Sequence, residues 1–483
     1  MRLPERLRRR RPPSPDLLPA TPLTLREPRP AGWWIVPAAL LVGGAVYGVA
    51  WWLLSGLPPV LKPAEVATAR QGAIQTALAA GAGIGAAITV MLAFRRQRHQ
   101  ELATLITSKQ ADRAAELADR VAEHNKQDAT ERRITELYIK AVEQLGSGKA
   151  AVRLGGLYAL ERLAQGDPDH RQTIVNVICA YLRMPYTVPG TVVPGSRPPG
   201  PRQTEADFTD AEGERQVRLT AQRILTEHLR DECTVDQRDT VTADSRFWKG
   251  MRIDLTGATL IDADFMSCHI HDGQFIGVAF IGDARFGEAT FTGNARFGEA
   301  TFTGRAQFGE ATFTGNARFG RATFTGHAEF EGVTFTGDAG FEVVTFTKNA
   351  RFSRVTFSGY TWFLKATFAG RAEFSEASFT GDARFNGVTF TGDARFNGVT
   401  FTGDTWFNGV TFTGHAWFLG VAFIGEAVFD EAAFAWGAIF NDSRVLQPAG
   451  AHSWPAGWTV IAGPDGTGML HRDDAVPSAP TTP

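Results

Sequence analysis

The sequence is poor in cysteine and nearly balanced in charge. Its 483 residues include only three cysteines, Cys179, Cys233 and Cys268, at scattered positions, and the formal net charge is −2. Scattered cysteines exclude a disulfide framework and favour a reducing compartment. The length indicates several domains.

Motifs of the common catalytic sites are missing as well. The sequence contains no HExxH, GxxxxGK[ST], CxxC or GxSxG motif, and each of these positions a metal, a phosphate or a nucleophile in its class of protein. The stretch GAGIGA, residues 81–86, superficially resembles a nucleotide-binding loop, but it lies inside an apolar run without a preceding strand. We therefore expect a protein that is not an enzyme and carries no cofactor.

Metal ligands are equally sparse. The best candidate is His269 and His271 with Asp272. The two histidines flank Ile270, an apolar residue expected to point into the core, so both histidines should point to solvent. Two histidines make half a zinc site at most, so we interpret them as surface residues. Asp382 and Asp404 would stack one coil apart in the repeat described next, and we interpret them as turn-forming residues. No metal site is expected.

Phenylalanine, by contrast, is abundant and regularly spaced. From Phe286 to Phe440 a phenylalanine recurs at alternating intervals of five and six residues, and from Leu255 to Phe280 an apolar residue recurs every five. These 35 positions hold 32 of the 35 phenylalanines in the chain. Such short-period self-similarity is typical of a solenoid, whose coils bury their apolar faces by stacking.

Small residues accompany the phenylalanines. The residue two places before each of the last 29 positions is alanine in twenty cases, valine in seven, and threonine only at Thr361 and Thr405. Because side chains two apart share one face of a strand, the small residue and the phenylalanine point into the same interior. The structural core is therefore predicted to contain Phe286, Phe291, Phe297, Phe302 and Phe346.

These units resemble the pentapeptide-repeat family, whose motif is a small residue, a polar residue, a central Leu or Phe, and two more. ATLID, ADFMS, ARFGE and ATFTG fit it, and the resemblance covers residues 253–442. It implies a right-handed quadrilateral β-helix with four units per coil, which we place at residues 251–442. Alternate units carry a sixth residue, which follows glycine in 13 of 15 cases. We expect a corner bulge there, with glycine supplying positive φ.

Two uncharged runs precede the repeats. Residues 33–54 and 73–94 each contain 22 residues without charge, and eight arginines precede the first run. Both runs are long enough to span a membrane, and the positive-inside rule places both termini in the cytoplasm. We therefore predict a transmembrane hairpin at 32–94 in the plasma membrane, after a disordered Arg/Pro-rich segment at 1–31. The Gly44/Gly48 and Gly81/Gly85 pairs weakly favour a packed hairpin or a homodimer.

Helical spacing dominates the segment between the membrane hairpin and the repeats. We predict a polar linker helix at 95–130 and an α-helical segment at 131–250, interrupted by a Pro-rich loop at 184–202. The stretch AVRLGGLYALERLA, residues 151–164, resembles the HEAT-like segment of actinobacterial membrane-anchored pentapeptide-repeat proteins. Such helices could cap the first coil. Residues 443–483 are expected to form a closing hairpin and a disordered tail.

Three non-enzymatic functions remain open. The first is a membrane-tethered cytoplasmic scaffold that binds a protein partner, with no direct nucleic-acid binding. The second is mimicry of duplex DNA toward a topoisomerase or another DNA-binding protein, as in some proteins of this family. Residues 255–440 hold 19 acidic and 12 basic residues, a mixed and modest charge that disfavours mimicry. The third is binding of ice or ordered water by outward threonines such as Thr290 and Thr292.

The outward column that precedes alternate phenylalanines contains the candidate partner site. It divides into two sides of the coil, and both become aromatic or apolar toward the C-terminus. Tryptophan beside arginine is typical of binding hot spots. The candidate partner-binding residues are Trp362, Arg384, Trp406 and Trp417.

Overall fold

The computed structural model describes residues 32–56, 63–188, 205–231, 246–464 and 466–473. The predicted disordered segment at 1–31, residues 474–483 of the predicted tail and most of the Pro-rich loop lie outside the described residues. The chain divides into two compact units, residues 1–127 and 128–483.

Two long helices form the described part of the first unit. Helix α1 is Gly32–Ser55, and helix α2 begins at Pro63 and runs without a break to Leu145. Both contain stretches long and apolar enough to cross a membrane, with mean hydropathies of 1.7 and 2.0. The helices touch where Gly81 faces the side chain of Val46, while Gly44, Gly48 and Gly85 have no such neighbour among the described residues. Only one glycine of the two predicted pairs therefore lies at the described contact.

Three shorter helices follow α2 in the second unit. They are α3 at Ala150–Gly166, α4 at Arg171–Arg183 and α5 at Glu205–Leu229. Their apolar faces meet in a core that includes Leu157, Leu160, Ile174, Ile178 and Leu225, all essentially buried. A buried arginine, Arg218, fixes the end of α4 by donating to the carbonyls of Leu182 and Met184 at 3.0 and 2.8 Å and to Glu214 at 2.7 Å. These charge-assisted bonds satisfy helix-terminal carbonyls.

Residues 253–445 form a β-solenoid of about nine turns with four sheets as its sides. Most strands are two residues long, and each pairs in parallel with its equivalent in the next coil. Going along one coil, we call the four sheets the ion-pair sheet, the first Thr sheet, the Trp–Arg sheet and the second Thr sheet. The ion-pair and Trp–Arg sheets are therefore opposite sides.

The strands of each sheet are as follows. The ion-pair sheet contains Ala284–Arg285, Ala306–Gln307, Ala328–Glu329, Ala350–Arg351, Ala372–Glu373, Ala394–Arg395, Ala416–Trp417 and Ala438–Ile439. The Trp–Arg sheet contains Ile253–Asp254, Gly273–Gln274, Ala295–Arg296, Ala317–Arg318, Ala339–Gly340, Thr361–Trp362, Ala383–Arg384, Thr405–Trp406 and Ala427–Val428. The first Thr sheet contains His269–Ile270, Thr290–Phe291, Thr312–Phe313, Thr334–Phe335, Thr356–Phe357, Ser378–Phe379, Thr400–Phe401, Ala422–Phe423, Arg444–Val445, Gly468–Arg472 and Trp458–Ala462. The second Thr sheet contains Thr259–Ile261, Ala279–Ile281, Thr301–Phe302, Thr323–Phe324, Thr345–Phe346, Thr367–Phe368, Thr389–Phe390, Thr411–Phe412 and Ala433–Phe434.

The predicted interior is confirmed. Of the 35 periodic positions, only Phe434 in the final coil is not fully buried. Each phenylalanine stacks on its equivalent 22 residues away, with ring centroids 4.9 Å apart for Phe286 and Phe308 and 4.7 Å for Phe346 and Phe368. Neighbouring columns meet edge to face, an arrangement that the ring quadrupole favours. A continuous aromatic core therefore runs through the solenoid.

The glycine corners differ from the prediction. These glycines have no positive φ except Gly282, at +80°, and Gly257, Gly277 and similar positive-φ glycines lie at other turns. Glycine is needed instead because successive coils approach closely: a Cβ at Gly337 would lie 2.6 Å from the carbonyl of Gly315. The extra residue after each glycine then links coils, as when the Asn316 side-chain oxygen accepts from the Asp338 backbone N–H at 3.1 Å.

Positive φ occurs at the other type of corner, two residues after each phenylalanine of the column that begins at Phe286. All fifteen of these positions are left-handed, ten of them occupied by residues other than glycine, such as Glu288 at φ +58° and Val343 at +57°. The Ala289 N–H donates to the Phe286 carbonyl across this turn at 3.1 Å. This is the pattern of a type II turn, which requires positive φ at its third residue.

The helical segment covers the first coil. Two glutamine side chains each pair with a backbone group of that coil in the manner of a neighbouring strand: Gln172 with Arg252, and Gln222 with Ile261, at 2.8–2.9 Å. Arg230 bridges to Cys268 and donates to the carbonyls of Met266 and Asp264. Edge groups that would otherwise attract another chain are thereby occupied.

The last coil is covered on part of its area. Trp458–Ala462 and Gly468–Arg472 form an antiparallel hairpin, and the latter strand pairs with Arg444–Val445, which still belongs to the solenoid. Trp454 and Trp458 pack on the exposed end of the aromatic core, with the Trp458 ring 5.2 Å from that of Phe440. The predicted boundary at 442 therefore falls within the last coil.

Candidate functional site

The Trp–Arg sheet brings three of the four candidate residues together. Its outward column runs in register through Arg318, Gly340, Trp362, Arg384, Trp406 and Val428. Trp417 lies on the ion-pair sheet, in register with Arg395 and Ile439. The candidate list thus describes two separate surfaces, because consecutive members of the column alternate between opposite sides of the coil.

Trp362 lies against the solenoid rather than projecting from it. Its indole packs over Gly340, where a Cβ would lie 2.9 Å from Cε2, and its Nε1–H donates to the Glu342 carboxylate. The Arg318 guanidinium lies 5.8 Å from the ring centroid. Trp362, Trp406 and Trp417 are all half-buried, so part of each side chain stays accessible.

Trp406 and Trp417 share a simpler arrangement. The Arg384 guanidinium lies over the Trp406 ring at 4.9 Å, and Arg395 lies over Trp417 at 5.1 Å. Stacking of this kind stabilises an exposed pair by about 0.5–1 kcal/mol. Arg384 is exposed. Among the described residues, no carboxylate lies within ion-pair distance of it or of Arg318.

The two inward threonines coincide with this surface. Thr361 and Thr405 directly precede Trp362 and Trp406, and their buried hydroxyls have no hydrogen-bond partner among the described residues. The side-chain oxygens of Asn386 and Asn408, just after two strands of this sheet, are likewise buried and have no partner in the described part of the chain. Unpaired buried polar atoms cost stability. Departures from a locally favourable sequence concentrate where a protein has a function.

On the ion-pair sheet, on the opposite side of the coil, arginines form ion pairs with neighbouring glutamates. Arg351 lies 3.8 Å from Glu373 and 3.7 Å from Glu331, and Arg305 lies 3.7 Å from Glu329. Arg354 also contacts Glu331. These contacts join successive coils. Opposite charges along this face are therefore engaged with each other over much of its length.

The metal candidate does not form a cluster. His271 Nδ1 lies 3.0 Å from the Thr292 hydroxyl, and the His269 ring meets the Phe247 ring edge to face at 5.8 Å. Asp272 accepts from the Asn294 backbone N–H at 3.0 Å. In the part of the chain that the structure describes, no group of three or more His, Cys, Asp or Glu residues is placed to hold a metal ion.

The aspartates at the corners accept hydrogen bonds from the backbone of the next coil. The Asp404 N–H donates to the Asp382 side chain at 3.2 Å, and the Glu426 N–H donates to that of Asp404 at 2.8 Å. Each carboxylate oxygen thus satisfies a backbone donor of the next coil. This agrees with the interpretation of these residues as turn-forming.

Threonines cover the two remaining sides. Thr290, Thr312 and Thr334 are in register on the first Thr sheet, as are Thr301, Thr323 and Thr345 on the second. Some hydroxyls of the adjoining column are engaged with the backbone: Thr325 donates to the Phe302 carbonyl at 2.9 Å. The side chains therefore form regular arrays on two opposite faces.

The described cysteines are inert. Cys179 and Cys268 are both free and buried. Loss of solvation raises the pKa of the Cys179 thiol to about 12, and burial raises the pKa of Cys268 equally to about 12. Thiolate is the reactive form, so burial disfavours reaction at either residue.

A comparison with protein families identifies the repeats. The family described as Pentapeptide repeats (9 copies) matches at residues 255–301, 286–334, 297–345, 322–367, 341–389, 363–411 and 385–433. The solenoid therefore consists of pentapeptide repeats, a fold that is generally a non-catalytic scaffold, and no enzyme family is indicated. Neither the curated proteins nor the solved structures gave a match.

Proposed function

We propose that the protein is a membrane-tethered scaffold that binds a cytoplasmic protein partner through the Trp–Arg sheet around Trp362, Arg384 and Trp406. The observation that carries the proposal is the in-register Trp362–Arg384–Trp406 column, in which two tryptophans flank one arginine on a single sheet. Buried aromatic and arginine side chains dominate the binding energy of protein interfaces. Half-buried indoles held by neighbouring groups lose little conformational freedom on binding.

The location of the site on one sheet supplies a matched control. Trp417 is also half-buried and also stacked under an arginine, but it lies on the opposite side. Full-length protein solubilised in detergent should capture the partner, which mass spectrometry identifies. Capture should be lost in the Trp362→Thr/Trp406→Thr double variant and kept in Trp417→Thr. Loss in Trp417→Thr alone would place the partner on the other side of the solenoid.

The tether in this proposal is the pair α1 and α2, as two spans of the plasma membrane with both termini and the solenoid in the cytoplasm. Its support is the apolar length of both helices and the arginines that flank them. A reporter active only in the cytoplasm should work when fused at residue 1 or residue 483. Activity of a periplasm-only reporter at residue 483 would refute this orientation.

The helical segment has a supporting role in this scheme. We propose that α3, α4 and α5 form a HEAT-like unit that closes the first coil through Gln172, Gln222 and Arg230. A cap with a polar outer face keeps a repeat array soluble. The main binding surface is then the solenoid, not its cap.

A second candidate function rests on the threonine arrays. Threonines in register on two flat faces present hydroxyl and methyl groups at the spacing of β-strands, about 4.8 Å between coils. Such an array is suited to ordering water. A thermal-hysteresis measurement on the purified protein tests it: no hysteresis would leave threonine as a strand-forming residue. Mimicry of DNA is disfavoured, because the arginines of both charged sheets interrupt any acidic face.

A further inference from the structure

A strip of apolar residues crosses the Trp–Arg sheet at Trp362. Tyr360 lies at the corner before Trp362, and the half-buried Leu364 follows on the same coil. Val343, at the far corner of the sheet on the preceding coil, donates its N–H to the Leu364 carbonyl at 2.8 Å. Between residues 267 and 435, all of which the structure describes, the only exposed large hydrophobic side chains are Val343 at 50% and Tyr360 at 58%. We call Tyr360, Trp362, Leu364 and Val343 the apolar strip.

The repeat does not require the two exposed residues of this strip. Tyr360 occupies the sixth position of its unit, which holds a polar residue, a charged residue or glycine in the other fourteen cases. Val343 occupies the left-handed corner position, which holds glycine or a charged residue in the other fourteen. Its φ of +57° is rare for a β-branched side chain. Exposed apolar patches and strained backbone both occur preferentially at binding sites, so the strip indicates a contact with another molecule.

Arginines without a carboxylate partner lie on both sides of the strip. Arg318 and Arg384 belong to the same outward column as Trp362, and both are exposed. In the described part of the chain, neither has a carboxylate within ion-pair distance. The Glu342 carboxylate, on the same side of the coil, accepts instead from Trp362 Nε1–H. A partner with carboxylates on both sides of an apolar surface would therefore complement this site.

The dimensions of the site fit a helix. Tyr360 and Leu364 are four residues apart, or about 13 Å along an extended chain. Arg318 and Arg384 are three coils apart, which separates their backbones by about 14 Å. An α-helix with its side chains is about 10–12 Å across, and ten residues of it are about 15 Å long. One helix lying along the strip can thus reach both arginines, whereas a single strand, about 4.8 Å wide, covers less than half of their separation.

A nucleic acid fits the site less well. Single strands bind by stacking their bases on aromatic rings in a basic groove. The Arg384 guanidinium, however, already lies over the Trp406 ring at 4.9 Å. Asp338 and Asp382 occupy the corner positions one coil before and one coil after Tyr360, and their charge would repel phosphates. The charged and apolar residues together therefore favour a protein partner.

Given the partner site proposed above, we propose that the partner presents an acidic amphipathic helix to the apolar strip. Its apolar residues, three and four apart, contact Tyr360, Trp362 and Val343, and its flanking carboxylates pair with Arg318 and Arg384. Helices recognised in this way bury one apolar face in the contact. Charged pairs at the edge of a contact mainly set the choice of partner. Charge therefore selects the partner, while the strip supplies the apolar contact.

Two fluorescein-labelled helical peptides of about 14 residues, or about 21 Å of helix, test the proposal. Both carry leucine at positions i, i+3, i+4 and i+7, and one has glutamate and the other lysine on both flanks of that face. Each is titrated with full-length protein in neutral detergent, with detergent alone as the blank. The glutamate peptide should bind with a Kd at least about tenfold lower than the lysine peptide. Arg318→Gln/Arg384→Gln should remove that difference, and Arg318→Glu/Arg384→Glu should reverse it.

Further measurements separate the strip from the rest of the solenoid. Val343→Gly should weaken binding of the glutamate peptide at least about threefold and preserve the fold, because glycine already occupies five equivalent corners. Arg395→Gln removes the matched arginine over Trp417 on the opposite sheet and should leave both affinities unchanged. A labelled oligothymidylate should bind more weakly than the glutamate peptide.

Any of five results would overturn the proposal: no binding of either peptide, equal affinity for both, an unreversed order in Arg318→Glu/Arg384→Glu, no effect of Val343→Gly, or tighter binding of oligothymidylate. Capture of the native partner tests the site separately. If Trp362→Thr/Trp406→Thr loses that partner while the two peptides bind equally, the surface remains the partner site and only the acidic helix is refuted.

Discussion

The Trp–Arg sheet and the ion-pair sheet are built from the same column of the repeat, on opposite sides of one aromatic core. On the ion-pair sheet, Arg351 contacts Glu331 and Glu373. On the Trp–Arg sheet, Arg318 and Arg384 lie over indoles, an arrangement that the ion-pair sheet has at its C-terminal end, where Arg395 lies over Trp417. The repeat dictates what points inward, whereas the outward residues are free to differ. Differences between the two sheets are thus the most informative guide to function.

The first prediction tests whether the two sheets share one interior. Phe363 and Phe374 are fully buried beneath the Trp–Arg and ion-pair sheets, and each stacks between two other phenylalanines at 4.7–5.0 Å. Replacing either by alanine should lower the free energy of unfolding by about 3–5 kcal/mol, because the cavity cannot refill. Denaturant unfolding of the two variants measures this. The exposed control Thr347→Ala should change it by less than about 0.5 kcal/mol.

The two phenylalanine variants should lose the same free energy of unfolding within error. Unequal losses would show that the core beneath the Trp–Arg sheet differs from the core beneath the ion-pair sheet.

The second prediction concerns the contact between the Trp362 indole and Gly340. Alanine at position 340 should be destabilising by about 1 kcal/mol, because its Cβ would displace the indole, although alanine normally stabilises a strand relative to glycine. The Gly340→Ala change should become neutral or favourable when Trp362→Thr is already present. A double-mutant cycle of unfolding free energies measures this coupling. Equal effects in both backgrounds would show that the indole does not rest on Gly340.

The third prediction compares the buried hydroxyl of Thr361 with the outward hydroxyl of Thr367. Thr361→Val should raise the free energy of unfolding by about 1 kcal/mol, because it replaces an unpartnered buried hydroxyl with a methyl group of similar size. Valine occupies the small inward position at seven places of the repeat, all of them before phenylalanines of the two Thr sheets. Thr367→Val, on the outward side of the next strand, should have almost no effect. A loss of stability in Thr361→Val would show that the hydroxyl has a partner.

The smallest expected effect distinguishes paired from unpaired arginines. Arg351→Gln on the ion-pair sheet should cost about 0.5 kcal/mol at low salt and nothing measurable at about 1 M salt, since exposed ion pairs are weak and screened. Arg296→Gln on the Trp–Arg sheet should cost nothing at either salt concentration, because no described carboxylate pairs with Arg296. Unfolding at two ionic strengths measures both. A salt-dependent cost for Arg296→Gln would contradict the assignment.

Much of this architecture follows from the sequence, and the reason is physical. Alternating intervals of five and six, together with a small residue two places before each phenylalanine, indicate a repeat whose phenylalanines share one interior. The four sides of a coil were implied by the resemblance to the pentapeptide-repeat family, and with these intervals they give a 22-residue coil, as the pairing of Ala306 with Ala328 shows. A feature that recurs in every coil can be predicted from the sequence, because the same residue pattern occurs in each coil.

What the sequence did not reveal depends on contacts between coils. The glycines at the corners were assigned to positive φ, but the close approach of Gly337 to Gly315 is what requires them. The left-handed positions at Glu288 and its equivalents were missed, although glycine at five of the fifteen gave a signal. The depth of Trp362 depends on a glycine 22 residues earlier, which becomes its neighbour only after the coils stack.

The most direct test of the account is the affinity of the captured partner for full-length protein, measured by titration. The account predicts that Trp362→Thr/Trp406→Thr raises Kd at least tenfold, about 1.4 kcal/mol, while Trp417→Thr leaves Kd unchanged and all the variants remain folded under the conditions of the titration. An unchanged Kd in the double variant, or an equal loss in Trp417→Thr, would contradict the claim that the Trp–Arg sheet is the binding surface.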